Sequence, residues 1–281
     1  SPLAMIAAEG PQAEVFRRSP VEPWRIIRTR LRVAGTVPGP VEGGGRAAGY
    51  FTGATGVTIY RGDSWPAEWQ GIAVVGDAGS NLVHRKRLEP NGLEFLARRI
   101  DPDFEFLASR DIWSRPVQFA NGPDGTLFMI DTYREVIEHP ASLPPAIKKH
   151  LDLTSGRNRG RIYRVLPKAF TQRPTPQLGA ATTAELVALL AHPNAWHRET
   201  ASRLLFIRQP QAAAGLLKEM AVHSPAPLGR LHALCVLDGL AAVDQPTVLA
   251  AMADPIPGVR RHAVRIAEQF LDRPAVVSSV I

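Results

Sequence analysis

A single cysteine, Cys235, stands among the 281 residues of the chain. One thiol cannot form an internal disulfide, a thiolate zinc site or the Cys-x-x-Cys-His attachment of a haem, so these residues contain none of the three. Long apolar runs are missing too, because the longest stretch without Asp, Glu, Lys or Arg covers only residues 47–60. Such a stretch is too short for a helix that crosses a bilayer, and we expect no membrane span.

Lysine is scarce as well, since only 5 of the 33 basic residues are lysines and the others are arginines. The formal net charge of +7 would ordinarily favour a nucleic-acid or anionic partner. However, an arginine-rich chain that also abounds in Ala, Gly and Pro is what GC-rich coding produces. We therefore interpret the basicity as compositional and do not expect nucleic-acid binding. With 45% apolar and 21% charged residues, the chain is expected to fold around a core.

Two parts of the chain have different hydrophobic periods, residues 1–166 and residues 182–281. Between them, residues 167–181 include Pro167, Pro174, Pro176 and Gly179, which is typical of an extended linker. We therefore predict two domains joined by this proline-rich segment. The last hundred residues are almost neutral, so any electrostatic role belongs to the first part.

Short β-rich runs joined by Gly, Asp and Asn turns fill the first part, as in antiparallel hairpins. Residues 57–60, 71–75, 82–88 and 94–98 predict four strands, enough for one blade-sized sheet. A second unit comprises residues 115–120, the turn 122–125 (GPDG), residues 126–131 and a closing strand at 161–165. Residues 133–160 are too long and too proline-rich for a hairpin, and we expect a loop folded over one end of the sheets.

The last part of the sequence contains a repeat of about 31 residues. His192, Ser224 and Asp254 each precede a proline, and six residues later stand Arg198, Arg230 and Arg260. An apolar helix precedes each turn and another follows it, so we predict a short α-solenoid of the HEAT type. The three arginines would line one ridge, either as partners of turn carbonyls and acids or as part of a surface that binds a protein.

Several runs in residues 15–166 resemble a family of large planctomycete and verrucomicrobial proteins described as membrane-bound dehydrogenases. The matching runs are residues 22–25 (EPWR), 42–46 (EGGGR), 56–63 (GVTIYRGD), 81–85 (NLVHR), 105–109 (EFLAS), 115–117 (RPV), 122–125 (GPDG), 131–140 (DTYREVIEHP) and 160–165 (GRIYRV). That family is similar to soluble quinoprotein sugar dehydrogenases, with a six-bladed β-propeller, HEAT-like repeats and often a C-terminal cytochrome c domain.

The resemblance implies a partial propeller, its last blades, followed by the HEAT-like repeats. About 165 residues supply only three or four blades, and the haem motif is absent, so we expect a fragment whose haem would lie in another domain. It further implies a periplasmic or cell-envelope location, pyrroloquinoline quinone (PQQ) with Ca²⁺ as cofactor, and a sugar or alcohol substrate. Hydride would pass from the substrate to the quinone while a base accepts the hydroxyl proton.

The candidate site residues lie on either side of the GPDG turn, and the resemblance supplies a role for only one of them. In the quinoprotein relatives an arginine before the same strand meets the cofactor, and we carry this role to Arg115; alternatively, its guanidinium holds neighbouring loops. Asp131, Tyr133 and Arg134 follow the next strand and would emerge at one end of it. His139 is the candidate general base or a metal ligand, although a histidine before proline is also typical of a structured loop corner.

Other polar residues of the first part have structural interpretations that we favour. His84 lies inside a predicted strand, where a packed or edge-exposed imidazole is expected, and Asp77 and Asp124 occupy turn positions. Glycines 43–45 lack the Gly-Lys-Ser/Thr end of a phosphate loop. A basic cluster surrounds Trp24 and could bind phosphates or bases, but the alternation in residues 28–33 favours one solvated strand face; its members are Arg17, Arg18, Arg25, Arg28, Arg30 and Arg32.

Two functions therefore stay open. The first is part of a quinoprotein-like sugar or alcohol dehydrogenase, with the repeats as an adaptor. The second is a non-catalytic propeller and solenoid module that binds protein or polysaccharide, because no acid–base constellation and no acidic metal cluster is visible. Propellers serve widely as binding platforms, so the fold alone does not decide between them.

Overall fold

A computed structural model of the protein describes residues 13–92 and 94–280. The first twelve residues of the predicted first domain thus lie outside the described residues. The chain divides into two compact units, one of residues up to Gly122 with Thr126–Phe170, the other of Pro123–Gly125 with Thr171–Ile281. Within the described residues, no helix combines the length and the apolar character that crossing a membrane requires.

The first sheet of the first unit is a meander in which each of the first four strands pairs with its neighbour along the chain. All pairs are antiparallel, the first four strands lie in chain order, and a short fifth strand pairs with the third. The strands are β1 (Ala54–Ile59), β2 (Ala73–Asp77), β3 (Leu82–Asn91), β4 (Glu94–Arg99) and β5 (Leu107–Ala108).

A second antiparallel sheet follows, with β6 (Pro116–Asn121), β7 (Leu127–Asp131) and β8 (Arg161–Val165) in chain order. Apolar side chains of both sheets share one core, because Tyr60 and Val74 pack in the same cluster as Phe119 and Met129. Neither sheet closes on itself. Consecutive antiparallel strands of this kind are what a propeller blade would contribute, and the assignment to a propeller stays a prediction.

An aromatic group covers one side of this core. The indoles of Trp65 and Trp69 are stacked, with centroids 5.3 Å apart and an interplanar angle of 26°. Tyr60 meets both rings edge-on, and the guanidinium of Arg85 lies 4.5 Å from the Trp69 ring. Arg85 in turn holds Asp101 through two hydrogen bonds of 2.7 Å. Residues 61–71 are therefore fixed to the sheet by aromatic and charged contacts together.

Four of the six arginines of the basic cluster are helical, and residues 28–33 are among the helical ones, so the prediction of a solvated strand face there was wrong. Residues Pro23–Val33 form α1, with Pro23 at its first turn. Trp24 packs with Val136 and Ile147, residues of the loop between the sheet strands. Trp24 and Leu31 are seven residues apart, about two helical turns, and pack on the same cluster, but the alternating arginines around Leu31 concealed this helical spacing.

The loop at residues 133–160 has local helical structure and packs under α1. A 3₁₀ turn at Pro140–Ser142 is followed by the short helix α2 (Pro145–Lys148). Leu143 and Ile147 are buried with Trp24, and Leu151 and Leu153 pack against them. The loop is thus anchored by its own small apolar cluster.

Every regular element in the described part of the second unit is a helix. Buried leucines form its core, among them Leu186, Leu205, Leu217 and Leu237. Ala201, Ala233 and Ala263 are fully buried and allow the helices to approach closely. The helices are α3 (Thr183–Leu189), α4 (Ala195–Arg208), α5 (Ala213–His223), α6 (Pro227–Gly239), α7 (Gln245–Met252), α8 (Pro257–Ala267) and α9 (Pro274–Val280). The HEAT-type assignment of this array stays a prediction.

The three repeated arginines bind carbonyl groups of their own turns. Arg198 donates to the carbonyls of His192 and Pro193, Arg230 donates to that of Ser224, and Arg260 donates to those of Asp254 and Pro255. Since carbonyls at a helix end lack intrahelical partners, each arginine satisfies the turn that it follows. This favours the structural interpretation of the ridge.

Candidate functional site

Arg115 is the centre of the region to which sequence reasoning pointed. Its side chain is fully buried, at the start of β6. Its Nη1 donates to the carbonyl of Ala78 (2.8 Å), its Nε to that of Arg134 (2.9 Å) and its Nη2 to that of Glu135 (2.6 Å). Nη2 also lies 3.1 Å from Oε1 of Glu22. One guanidinium therefore joins three separate segments of chain to the start of β6.

Asp131 lies beside Arg115 because β6 and β7 pair there, with Pro116 opposite Asp131. Its Oδ1 accepts from the backbone N–H of Arg115 (2.7 Å) and of Tyr133 (2.8 Å), and Oδ2 accepts from the Ser114 hydroxyl (3.0 Å). The side chain is fully buried. Both carboxylate oxygens are thus used to shape the turn after β7, in which Tyr133 has a positive φ of 51°.

Tyr133 and Arg134 continue this corner and are partly exposed. The Arg161 guanidinium lies 3.7 Å from the centre of the Tyr133 ring, and Trp113 packs against the same ring. Arg134 donates to the carbonyls of Thr132, Tyr133 and Arg157 at 3.2–3.4 Å. The structure therefore brings together four of the predicted site residues, namely Arg115, Asp131, Tyr133 and Arg134.

His139 is exposed, and its hydrogen bonds are made to residues of its own loop. Its Nδ1 accepts from the backbone N–H of Ala141 at 3.1 Å and thereby begins the 3₁₀ turn. Its carbonyl accepts from the Ser142 hydroxyl. These contacts are those of a structured loop corner, the alternative to a general base.

Glu22, which sequence reasoning did not single out, is the acidic partner of Arg115. It is 1% exposed and directly precedes α1. Besides Arg115, its Oε2 lies 2.9 Å from Arg17 and 3.5 Å from Arg25. Burial alone would raise the pKa of Glu22, but the charges of Arg25, Arg17 and Arg115 outweigh it and the pKa is lowered. Only its place in the EPWR run could have indicated its importance.

A second buried ion pair was also missed. Glu105 Oε2 lies 2.7 Å from Nδ1 of His84, and its Oε1 accepts from Arg99 (2.6 Å) and from the backbone N–H of Phe16 (3.1 Å). Burial would raise the pKa of Glu105, but the hydrogen bond from His84 and the other contacts lower it overall. His84 is 3% exposed, so of the two environments expected for this position, packed or edge-exposed, the structure has the packed one.

Arg115 and Asp131 do not fit a carboxylated quinone as direct ligands. The Glu22 carboxylate already occupies the guanidinium that would bind the cofactor, and both oxygens of Asp131 accept from protein groups. In the described ranges, no three or more His, Cys, Asp or Glu side chains are grouped as a metal site requires. The role of these residues toward PQQ stays a prediction, and their observed contacts position loops.

In the helical unit, a groove of about 450 Å³ runs beside α4 and α6. Phe206, Leu231 and Val236 form its apolar part, and Cys235 lies in it with His232. Phe206 is 55% exposed. Burial raises the pKa of the Cys235 thiol, so covalent labelling of this thiol requires mildly alkaline pH.

Comparison with known proteins gives one match. The model of a family described as a domain of unknown function, DUF7133, matches residues 6–169. No curated protein and no solved structure matches the chain. The match covers more than half of the chain, which therefore belongs to the DUF7133 family.

Proposed function

We propose that this chain is a non-catalytic binding module, built from blade-like sheets and a helical repeat unit, of the dehydrogenase-like proteins that it resembles. The observation that carries this proposal is the pair of Glu22 and Arg115. An internal carboxylate takes the position that a cofactor carboxylate would need, and it is held by a second arginine as well. The guanidinium is then a positioning group for the loops around it.

The protein partner of the helical unit would meet the groove beside Cys235. The repeated arginines are engaged with turn carbonyls, so they have a structural task. The groove instead offers exposed apolar surface next to polar side chains, as Phe206 is flanked by Glu199 and Arg203. Solenoid proteins bind partners along surfaces of this kind.

The second candidate is a sugar- or alcohol-oxidising quinoprotein. The runs 115–117, 122–125 and 131–140 support it, because they resemble the dehydrogenase family at the residues that flank β6 and β7. In that case a cofactor would have to displace Glu22 from Arg115, or bind at the partly exposed corner of Tyr133 and Arg134.

Titration of the chain with PQQ in the presence of Ca²⁺ tests the proposal. We expect no saturable uptake and no dye-linked oxidation of sugars or alcohols. Saturable uptake that is lost in Arg115→Lys but kept in the exposed control Arg110→Lys would overturn it in favour of the dehydrogenase. Glu22→Gln is a further discriminator, because removal of the competing charge would strengthen uptake only if the quinone binds Arg115.

Because Cys235 is the single thiol of the chain, it can be labelled selectively to test whether the groove binds a protein partner. A cleavable photo-crosslinker attached to Cys235 should capture a partner from the native host, and Phe206→Asp should abolish the capture while Ile207→Asp, an exposed change on the same helix, should not. Equal capture by all three proteins would show that the groove has no specific partner.

A further inference from the structure

Helix α1 presents two buried arginines on one face. Arg25 and Arg28 are three residues apart, so their side chains leave the same side of the helix. Both guanidiniums lie against the ring of Trp24, at 5.5 and 5.1 Å from its centre. Their side chains are only 4% and 6% exposed. Burial of two cations in this way is costly unless anions and hydrogen-bond acceptors compensate for it.

The acidic residues around α1 supply only part of that compensation. Glu22 is shared among Arg17, Arg25 and Arg115, and Arg25 is the most distant of them at 3.5 Å. Glu138 lies 3.0 Å from Nη1 of Arg28 and is partly exposed. Two carboxylates therefore face four guanidiniums in these ion pairs.

Tyr50 is a further neighbour of the two arginines. Burial raises the pKa of its hydroxyl, Glu42 and Glu138 add to the rise, and Arg25 and Arg28 act in the opposite direction. The tyrosine is 4% exposed, and Glu42 is a third acidic group in its surroundings. Both arginines are thus close enough to this hydroxyl to act on it electrostatically.

Unused hydrogen-bond donors concentrate in the same place. Nη1 of Arg17, Nε1 of Trp24, Nε of Arg25 and Nε of Arg28 are buried without a hydrogen-bond partner, although Nε of Arg25 has the ion-pair contact with Oε2 of Glu22 at 3.5 Å. They are more than half of such side-chain atoms in residues 13–92 and 94–280. Native proteins leave few buried donors unsatisfied, and a cluster of them needs an explanation such as an ion.

We propose that Arg25 and Arg28 form an oxyanion-binding site, whose ligand is a small phosphate or carboxylate. Two forked guanidiniums on one helix face can each donate to different oxygens of the same anion. The ligand would add the negative charge that the ion pairs around Glu22 lack, and the Tyr50 hydroxyl would be a third donor. This inference does not depend on whether the module is catalytic.

Calorimetric titration of the full chain in low-salt buffer tests the site, with inorganic phosphate in one arm and malonate in the other. We expect one saturable site in at least one arm, and the difference between the arms identifies phosphate or carboxylate as the ligand. Arg25→Gln and Arg28→Gln should each weaken binding by about tenfold or more. Arg30→Gln is the matched control, because it removes the same charge from an exposed position of α1.

Absence of saturable heat in both arms would overturn the proposal, and so would equal affinity in the wild type and in both buried-arginine variants. If a glutamine variant fails to fold, a second measurement decides. It compares the change in tryptophan emission on ligand addition between the wild type and Trp24→Phe. Ligand addition should change the emission of the wild type, and the change should be lost in Trp24→Phe. A change that persists in this variant would place the anion elsewhere.

Discussion

Nδ1 of His84, on β3, lies 2.7 Å from Oε2 of Glu105, and both side chains are almost completely buried. The same carboxylate receives Arg99 and the backbone N–H of Phe16. Glu105 therefore ties β3, the end of β4 and the segment before α1 together through one charged group.

Replacement of Glu105 by glutamine should destabilise the protein by about 2–4 kcal/mol at pH 7, because a buried pair loses one charged partner. The pKa of Glu105 is lowered in the folded state. Its contribution is therefore present above the unfolded-state pKa and is lost as the pH falls through the folded-state pKa. Urea unfolding at pH 7 and at stepwise lower pH measures this loss of stability.

The control variant is Glu89→Gln, because the pair of Glu89 with Arg98 is exposed. It should change the free energy of unfolding by less than about 0.5 kcal/mol. Equal losses in the two variants would contradict the role of Glu105.

We expect a second pH effect on stability at the start of α7, where the Asp244 side chain caps the helix. Burial would raise its pKa, but Lys218 and the two donors of Thr247 lower it to about 2. Its stabilisation should thus be complete above pH 3.8 and be lost as the pH falls toward about 2. Asp244→Ala should cost about 1 kcal/mol at neutral pH, the value of a lost helix cap. Asp244→Asn keeps an acceptor for Thr247 and should cost less, as measured by thermal unfolding. A loss with Asp244→Ala that is unchanged at pH 2 would show that its charge is unimportant.

Arg230→Lys tests the contact between neighbouring turns of the helical unit. Arg230 binds Asp254 through two hydrogen bonds, 2.6 and 2.9 Å long, and also holds the Ser224 carbonyl. Lysine cannot reproduce this fork, so we expect a loss of about 1–3 kcal/mol in the free energy of unfolding. Circular dichroism during denaturation measures it, with the exposed Arg261→Lys as control. If the two residues act as a pair, the effects of Arg230→Lys and Asp254→Asn should not be additive.

Gly43→Ala and Gly44→Ala form a matched pair in the turn that supports Tyr50. Both glycines have positive φ, 55° and 64°, so each alanine is strained by about 1 kcal/mol. Only at Gly43 would the added methyl group overlap the Tyr50 ring, whereas no atom lies near it at Gly44. Gly43→Ala should therefore be more destabilising by about 1–3 kcal/mol, the usual cost of overpacking. Equal melting temperatures for the two variants would show that the turn moves away from Tyr50 freely.

The strands of the first unit could be predicted from turn signals and alternation. Runs expected at 82–88, 94–98 and 161–165 correspond to β3, β4 and β8. The GPDG turn likewise separates β6 from β7, since Gly125 adopts the positive φ that such a turn allows. Local chemistry decides these features, so a single sequence contains enough information.

The connections of the site could not be predicted in the same way. Glu22 and Arg115 are 93 residues apart, and His84 and Glu105 are 21 apart. No local pattern specifies which carboxylate meets which cation, because that choice depends on how α1 and the loops pack. The strand interpretation of residues 28–33 failed for the same reason, since the buried side of the helix is determined by Val136 and Leu143.

The stacked indoles of Trp65 and Trp69 give the first sheet an optical signature. Two indoles at such close range couple their strong electronic transitions, which adds a pair of dichroism bands of opposite sign in the far ultraviolet. This signal depends on the distance and mutual orientation of the two rings, so loss of the ordered structure of residues 61–71 would erase it even where the strands persist. The chain thereby reports local opening separately from global unfolding, without any added label.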